Sequence, residues 1–233
     1  MLELQHVVKS YGDKTALKDF SLKLDNGLFG LLGENGAGKS TLIKILTCNL
    51  ERDGGSILFD GKEICDMGRD YRALIGYLPQ ESVGYPRMRV GEFLEYIAAL
   101  KGLDYDRKQL REIIYTALEQ VHLDKEIHTH FGQLSGGMKR RLLFAQAVMG
   151  DPKILILDEA TSSIDAKTEK ELQKGLQELL KGRTSFIIAH RLSTIKNCDK
   201  IMFISNKGIT EAGTHDELMA KKGDYYKLCM AQK

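Results

Sequence analysis

Short apolar runs at residues 2–8, 17–24, 28–32 and 56–59 read as strands, and residues 41–46, ahead of the last of them, begin a helix with one apolar face. From about residue 90 to residue 123 the apolar spacing lengthens to three and four. Phe93, Ile97 and Leu100, then Leu110, Ile113, Ile114, Ala117, Leu118 and Val121, mark a helical insert. Strand and helix then alternate again: 153–157 strand, 166–180 helix, 184–189 strand, 200–204 strand. That alternation predicts an α/β chain whose parallel sheet is covered by helices. Residues 214–233 read as one or two helices interrupted at Gly223-Asp224. No internal repeat or low-complexity tract disturbs this order.

The strand at 27–32 and the helix at 41–46 enclose Gly33-Glu34-Asn35-Gly36-Ala37-Gly38-Lys39-Ser40, a complete G-x-x-x-x-G-K-S phosphate loop. Its glycines let successive backbone N–H groups turn inward around a phosphate. Lys39 adds a movable positive charge, and the Ser40 hydroxyl is a ligand for Mg²⁺. The alternative is a glycine-rich turn with a solvated lysine, which does not explain the strand before it and the helix after it.

Ile154-Leu155-Ile156-Leu157-Asp158-Glu159 is an apolar strand ending in two carboxylates. Beside a phosphate loop, Asp158 would hold Mg²⁺ and Glu159 would polarise the attacking water. At Leu134-Ser135-Gly136-Gly137-Met138 a hydroxyl and two glycines precede a helical pattern over 139–149, so Ser135 reads as an N-cap that exposes N–H groups to a second anion.

Composition narrows the function further. With 42% apolar residues in 233, the chain can bury the core of one large domain or of a domain with a subdomain insert. Its 34 basic and 32 acidic residues leave a net charge of +2, too weak a field to draw in nucleic acid. The one prominent basic cluster, Lys139-Arg140-Arg141, reads as a solvated helix face. No apolar run approaches the length of a membrane helix and the N-terminus does not resemble a secretory signal, which leads to the expectation of a soluble, cytoplasmic chain. Cys48, Cys65, Cys198 and Cys229 are too scattered to suggest a zinc site or a disulfide framework.

Taken together, the three motifs resemble one family, the nucleotide-binding domains of ABC transporters, in order and in approximate spacing across nearly the whole chain. The resemblance implies a P-loop NTPase fold of ABC ATPase type, with a mixed or parallel sheet core, an antiparallel β subdomain and a helical subdomain. The core would comprise residues 1–80 and 151–233, with the helical signature subdomain at 81–150. It implies ATP and Mg²⁺ as ligands. Gly33, Asn35, Gly36, Ala37, Gly38, Lys39, Ser40 and Thr41 would surround the phosphates, and Tyr11 would stack on adenine. Gln80 would bridge Mg²⁺ and the helical insert, Asp165 would form the D-loop, and His190 would be the switch histidine. Ser40, Gln80 and Asp158 would be the metal ligands, and Glu159 and His190 the catalytic pair.

Two such domains would dimerise head to tail, each ATP lying between one phosphate loop and the other chain's Ser135-Gly136-Gly137. A transmembrane transporter subunit would be the further partner, placing the chain at the inner face of a membrane. The other functions in view are a nucleotide-binding scaffold without turnover and a non-transport ABC ATPase. Residues 1 to about 145 resemble stand-alone ATPase subunits, whereas about 155–233 resemble domains fused to exporter segments. Thr129-His130-Phe131-Gly132 also departs from the acidic loop usual in that second branch. A hybrid joined between about Arg141 and Ala160 and a natural subunit with an unusual C-terminal half both accommodate this mismatch.

Overall fold

The computed structural model describes residues 1–80, 84–103, 105–158, 180, 182–188 and 192–231. In chain order the first elements are β1 (Leu2–Tyr11), β2 (Lys14–Leu24), β3 (Gly27–Gly33), α1 (Lys39–Leu46), β4 (Gly54–Phe59), β5 (Lys62–Glu63), α2 (Ile64–Met67) and α3 (Arg69–Ala73). There follow β6 (Ile75–Leu78), α4 (Val90–Lys101), α5 (Arg107–Gln120), α6 (Gly136–Val148) and β7 (Ile154–Asp158). The last are β8 (Thr184–Ile188), α7 (Leu192–Ile195), β9 (Lys200–Ser205), β10 (Gly208–Gly213), α8 (His215–Lys221) and α9 (Asp224–Ala231). The helix expected over 166–180 lies, except for Leu180, outside the described residues. Among the described residues no helix is long and apolar enough to cross a membrane.

The chain forms two compact units, residues 1–72 with 182–233, and residues 73–181. In the first, an antiparallel sheet runs in the order β2-β1-β4-β5. Leu2, Leu4 and Val7 of β1 and Leu17, Phe20 and Leu24 of β2 turn inward, the spacing slipping where β1 bulges between Leu4 and Val7. The same unit holds β3 between β8 and β9, parallel to both, with β10 antiparallel on β9. A strand paired on both edges and covered on both faces reads as a nearly unbroken apolar run, as Phe29, Leu31 and Leu32 do. Helix α1 leaves the C-terminal end of β3 and buries Leu42, Ile43, Ile45 and Leu46.

In the second unit β6 and β7 pair in parallel, with Ile75 opposite Ile154 and Leu78 opposite Leu157. Helix α6 lies against β6 so closely that a Cβ on Gly76 would run into the carbonyl oxygen of Ala147. Leu142, Leu143, Phe144, Ala145, Ala147 and Val148 are all buried, as are the four apolar residues of β7 from Ile154 to Leu157. Packing is therefore continuous through the described part of the stretch where a hybrid join was placed. The last carbonyls of α6 are met by Lys101, whose Nζ donates to Gln146 at 2.9 Å, Ala147 at 3.3 Å and Met149 at 2.9 Å.

Candidate functional site

The phosphate loop begins where β3 stops. Gly38 caps α1 with φ at 109°, a conformation that suits glycine, and a side chain there would press on the Ala16 carbonyl at 2.6 Å and on Leu17. With neither a side-chain cap nor an acidic residue in the first turn of α1, its N–H groups present an uncompensated positive end. Lys39 is buried, at 7% exposure, and its Nζ donates to the carbonyls of Gly33 at 2.6 Å and Glu34 at 2.9 Å. Asn35, Gly36 and Ser40 are exposed, Thr41 is half-buried, and Ala37 is buried with its N–H turned back to the Glu34 carbonyl. One loop thus brings together a fixed cation, a helix N-terminus and a hydroxyl, the components of an anion site.

Tyr11 ends β1 opposite Lys14, its ring 49% exposed. The Lys9 ammonium stands 6.0 Å from the ring centroid, positioned by a 2.6 Å ion pair with Asp53. Asp53 also accepts from the Ser10 N–H at 2.7 Å. The Lys9 hydrogen bond, followed by that of Ser10, holds the Asp53 carboxyl below its ordinary value.

In the second unit the ends of β6 and β7 carry Gln80 and Asp158, and one side chain joins them. Arg140 of α6 donates through Nη1 to the carbonyls of Pro79 and Gln80, the latter at 3.1 Å, and through Nη2 to the carbonyl of Asp158 at 2.7 Å. Gln146, further along the same helix, donates to the Tyr77 carbonyl at 2.7 Å. Burial first, then the charge and hydrogen bond of Asp158, push the Tyr77 phenol above its ordinary value, against a smaller opposing effect of Arg140.

The reading of Lys139-Arg140-Arg141 as a solvated face is overturned here. Arg140 is 2% exposed, Arg141 is half-buried with Nη1 donating to Val121 at 3.0 Å and His122 at 3.3 Å, and Lys139 stands 5.6 Å from the Phe131 ring centroid. Sequence reasoning missed Arg140, although its spacing carried a signal. Leu143, Phe144 and Ala147 follow it at three, four and seven residues, which places Arg140 on the apolar stripe of α6.

Ser135 caps α6 as expected, its Oγ accepting from the Met138 N–H at 3.2 Å, with Ser135 and Gly136 exposed and Gly137 half-buried. The preceding segment runs along the entry to α4: Phe131 N–H donates to the Met88 carbonyl at 2.9 Å, and Gly132 N–H to Pro86 at 3.0 Å. Phe131 packs on Phe93 with ring centroids 5.6 Å apart. Phe131 and Gly132, a few residues ahead of Ser135, are thereby held against Pro86, Met88 and Phe93. Glu159, Asp165 and His190 lie outside the described residues.

Comparison with known proteins identifies a family. The ABC transporter family model matches residues 17–162. The Starmerella bombicola sophorolipid transporter is 37% identical over 249 residues, which cover 100% of this chain and 19% of that protein. The Bacillus subtilis ABC transporter ATP-binding protein YwjA is 37% identical over 255 residues, covering 99% of this chain and 41% of that one. The chain thus spans well under half the length of these relatives. Among solved structures, a bacterial Atm1-family ABC exporter with ATP bound superposes with a TM-score of 0.89 at 28% identity, over 99% of this chain and 41% of that one. A dimeric bacterial ABC transporter cassette shares the fold, with a TM-score of 0.83 at 24% identity over 92% of this chain and 99% of that one. The chain belongs to the ABC transporter family.

Proposed function

We propose that this domain binds Mg·ATP at composite sites of a head-to-tail dimer and hydrolyses it to drive a transmembrane partner. The observation that carries the reading is the phosphate loop, in which buried Lys39 is held to the Gly33 and Glu34 carbonyls beside the uncapped start of α1. The backbone N–H groups around Gly36 and Gly38 hold the phosphates, Lys39 offsets the charge that develops on transfer, and Tyr11 offers its exposed ring to adenine. Residues 1–80 with 151–233 serve as the nucleotide core, and 81–150 as the helical signature segment.

The donors for a metal are all hard oxygens: the Ser40 hydroxyl, the Gln80 amide oxygen and the Asp158 carboxylate. That set suits Mg²⁺. When bound, Mg²⁺ supplies charge neutralisation at the β- and γ-phosphates. Glu159 orients and polarises the attacking water, and His190 donates a hydrogen bond to the γ-phosphoryl oxygens as negative charge shifts. Ser135, Gly136 and Gly137 complete the partner's site from the start of α6, and Asp165 serves as the D-loop residue. The dimeric cassette among the fold neighbours supports this assembly.

Glu159→Gln tests the proposal. It should lower phosphate release by roughly 10²- to 10⁴-fold while ATP binding persists. In the unaltered protein, turnover per chain should rise with protein concentration. Unchanged turnover in the variant removes Glu159 from its role, and turnover independent of concentration removes the composite site.

A further inference from the structure

Arg140 is the most deeply buried charged side chain among the described residues, and every acceptor named above for its guanidinium is a main-chain carbonyl. Burying a guanidinium is expensive unless its N–H groups are met. Here they are met by two separate chain segments, one ending β6 and the other ending β7. A planar fork with donors on two sides can span such a gap, whereas an ammonium, as a point charge, cannot hold both segments in one fixed geometry. Arg140 also sits five residues beyond Ser135 on the same helix, so the group that ties Gln80 to Asp158 is rigidly linked to the signature N-cap.

We propose that Arg140 is a positioning residue for ATP hydrolysis: by gripping the main chain at Gln80 and Asp158, it sets the starting points of the two side chains that hold the metal and ties them to the helix that engages the partner's nucleotide. The proposal rests on reading Gln80 and Asp158 as metal ligands. Gln146 of the same helix reinforces the arrangement by holding the Tyr77 carbonyl of β6 at 2.7 Å.

The test uses Arg140→Lys and Arg140→Gln, each in the unaltered chain for turnover and in the Glu159→Gln background for binding. The decisive quantity is the Mn²⁺ dissociation constant of the ATP-loaded protein, read by electron paramagnetic resonance. Support behind a ligand is typically worth about 10- to 100-fold in metal affinity, so both variants should lose that much Mn²⁺ binding and a similar factor in kcat. Metal-free ATP affinity should hold.

Folded variants with wild-type Mn²⁺ affinity overturn the proposal, including the case in which kcat alone falls, because a merely structural arginine would give that result. Should both variants unfold, the Arg140 side-chain N–H signals of the Glu159→Gln protein, followed by NMR, serve instead. They should move when Mg²⁺ is added to the ATP-loaded state, and unmoved signals overturn the proposal. Gln80→Ala and Asp158→Asn separate the two readings. If they leave Mn²⁺ affinity intact, the ligand assignment fails and the proposal falls with it; if they weaken it while the Arg140 variants do not, only the proposal falls.

Discussion

The ammonium of Lys39 lies 2.6 Å from the carbonyl oxygen of Gly33, six residues back across its own loop. Together with the Glu34 carbonyl, this contact holds the charge in place before any phosphate arrives. Lys39→Met should therefore reduce ATP affinity by roughly 10- to 100-fold, the worth of a charge-assisted hydrogen bond, with little change in thermal midpoint. Titration with a fluorescent ATP analogue reads this directly, and unaltered affinity would take Lys39 out of the phosphate site.

Gly76 permits the approach of α6 to β6, because any side chain there would meet the Ala147 carbonyl. Gly76→Ala should destabilise the protein by about 1–3 kcal/mol through forced separation of helix and strand. A urea midpoint equal to that of the wild type would mean that the two elements part without cost.

A composite site makes complementation possible. Chains carrying Lys39→Ala lack the phosphate cation, and chains carrying Ser135→Arg block the signature N-cap, so neither alone should turn over. Mixed, they form a heterodimer with one intact site and one doubly damaged site, and phosphate release should return. Failure of the mixture to release phosphate would argue that each chain completes its own site.

Asp53 gives a stability change with pH of defined sign. Lys9 and Ser10 hold its folded pKa below the unfolded value, so its contribution is fully present above about pH 3.9 and is lost as pH falls through the folded value. Asp53→Asn should lower the thermal midpoint at neutral pH, and the two proteins should converge at the acid end. A difference that persists unchanged at the lowest pH would assign the effect to something other than this carboxylate.

Local chemistry was the legible part of the sequence. The phosphate loop, the apolar run into Asp158 and the Ser135 cap each depend on neighbours a few residues away, and the described parts of all three have the expected form. Strand β6 escaped notice because Ile75-Gly76-Tyr77-Leu78 is only four residues long and contains a glycine whose purpose lies on α6, some seventy residues later. Strand β10 was missed for a similar reason, its sequence Gly-Ile-Thr-Glu-Ala-Gly deriving its pairing from β9 rather than from its own propensity. Arg140 looked like surface charge because composition says nothing about which carbonyls a guanidinium will reach.

The pairing of β3 has a consequence for synthesis. Gly27 to Leu31 pair with Thr184 to Ile188, and Phe29 to Gly33 with Lys200 to Ile204, so both edges of β3 wait for residues made more than 150 positions later. At roughly 5–20 residues per second, a ribosome leaves that apolar strand unpaired for about ten seconds or more. Throughout that interval the nascent chain carries an open, sticky edge of the kind that recruits chaperones or aggregates. Premature stops before residue 205 should accordingly give insoluble fragments rather than smaller, functional domains.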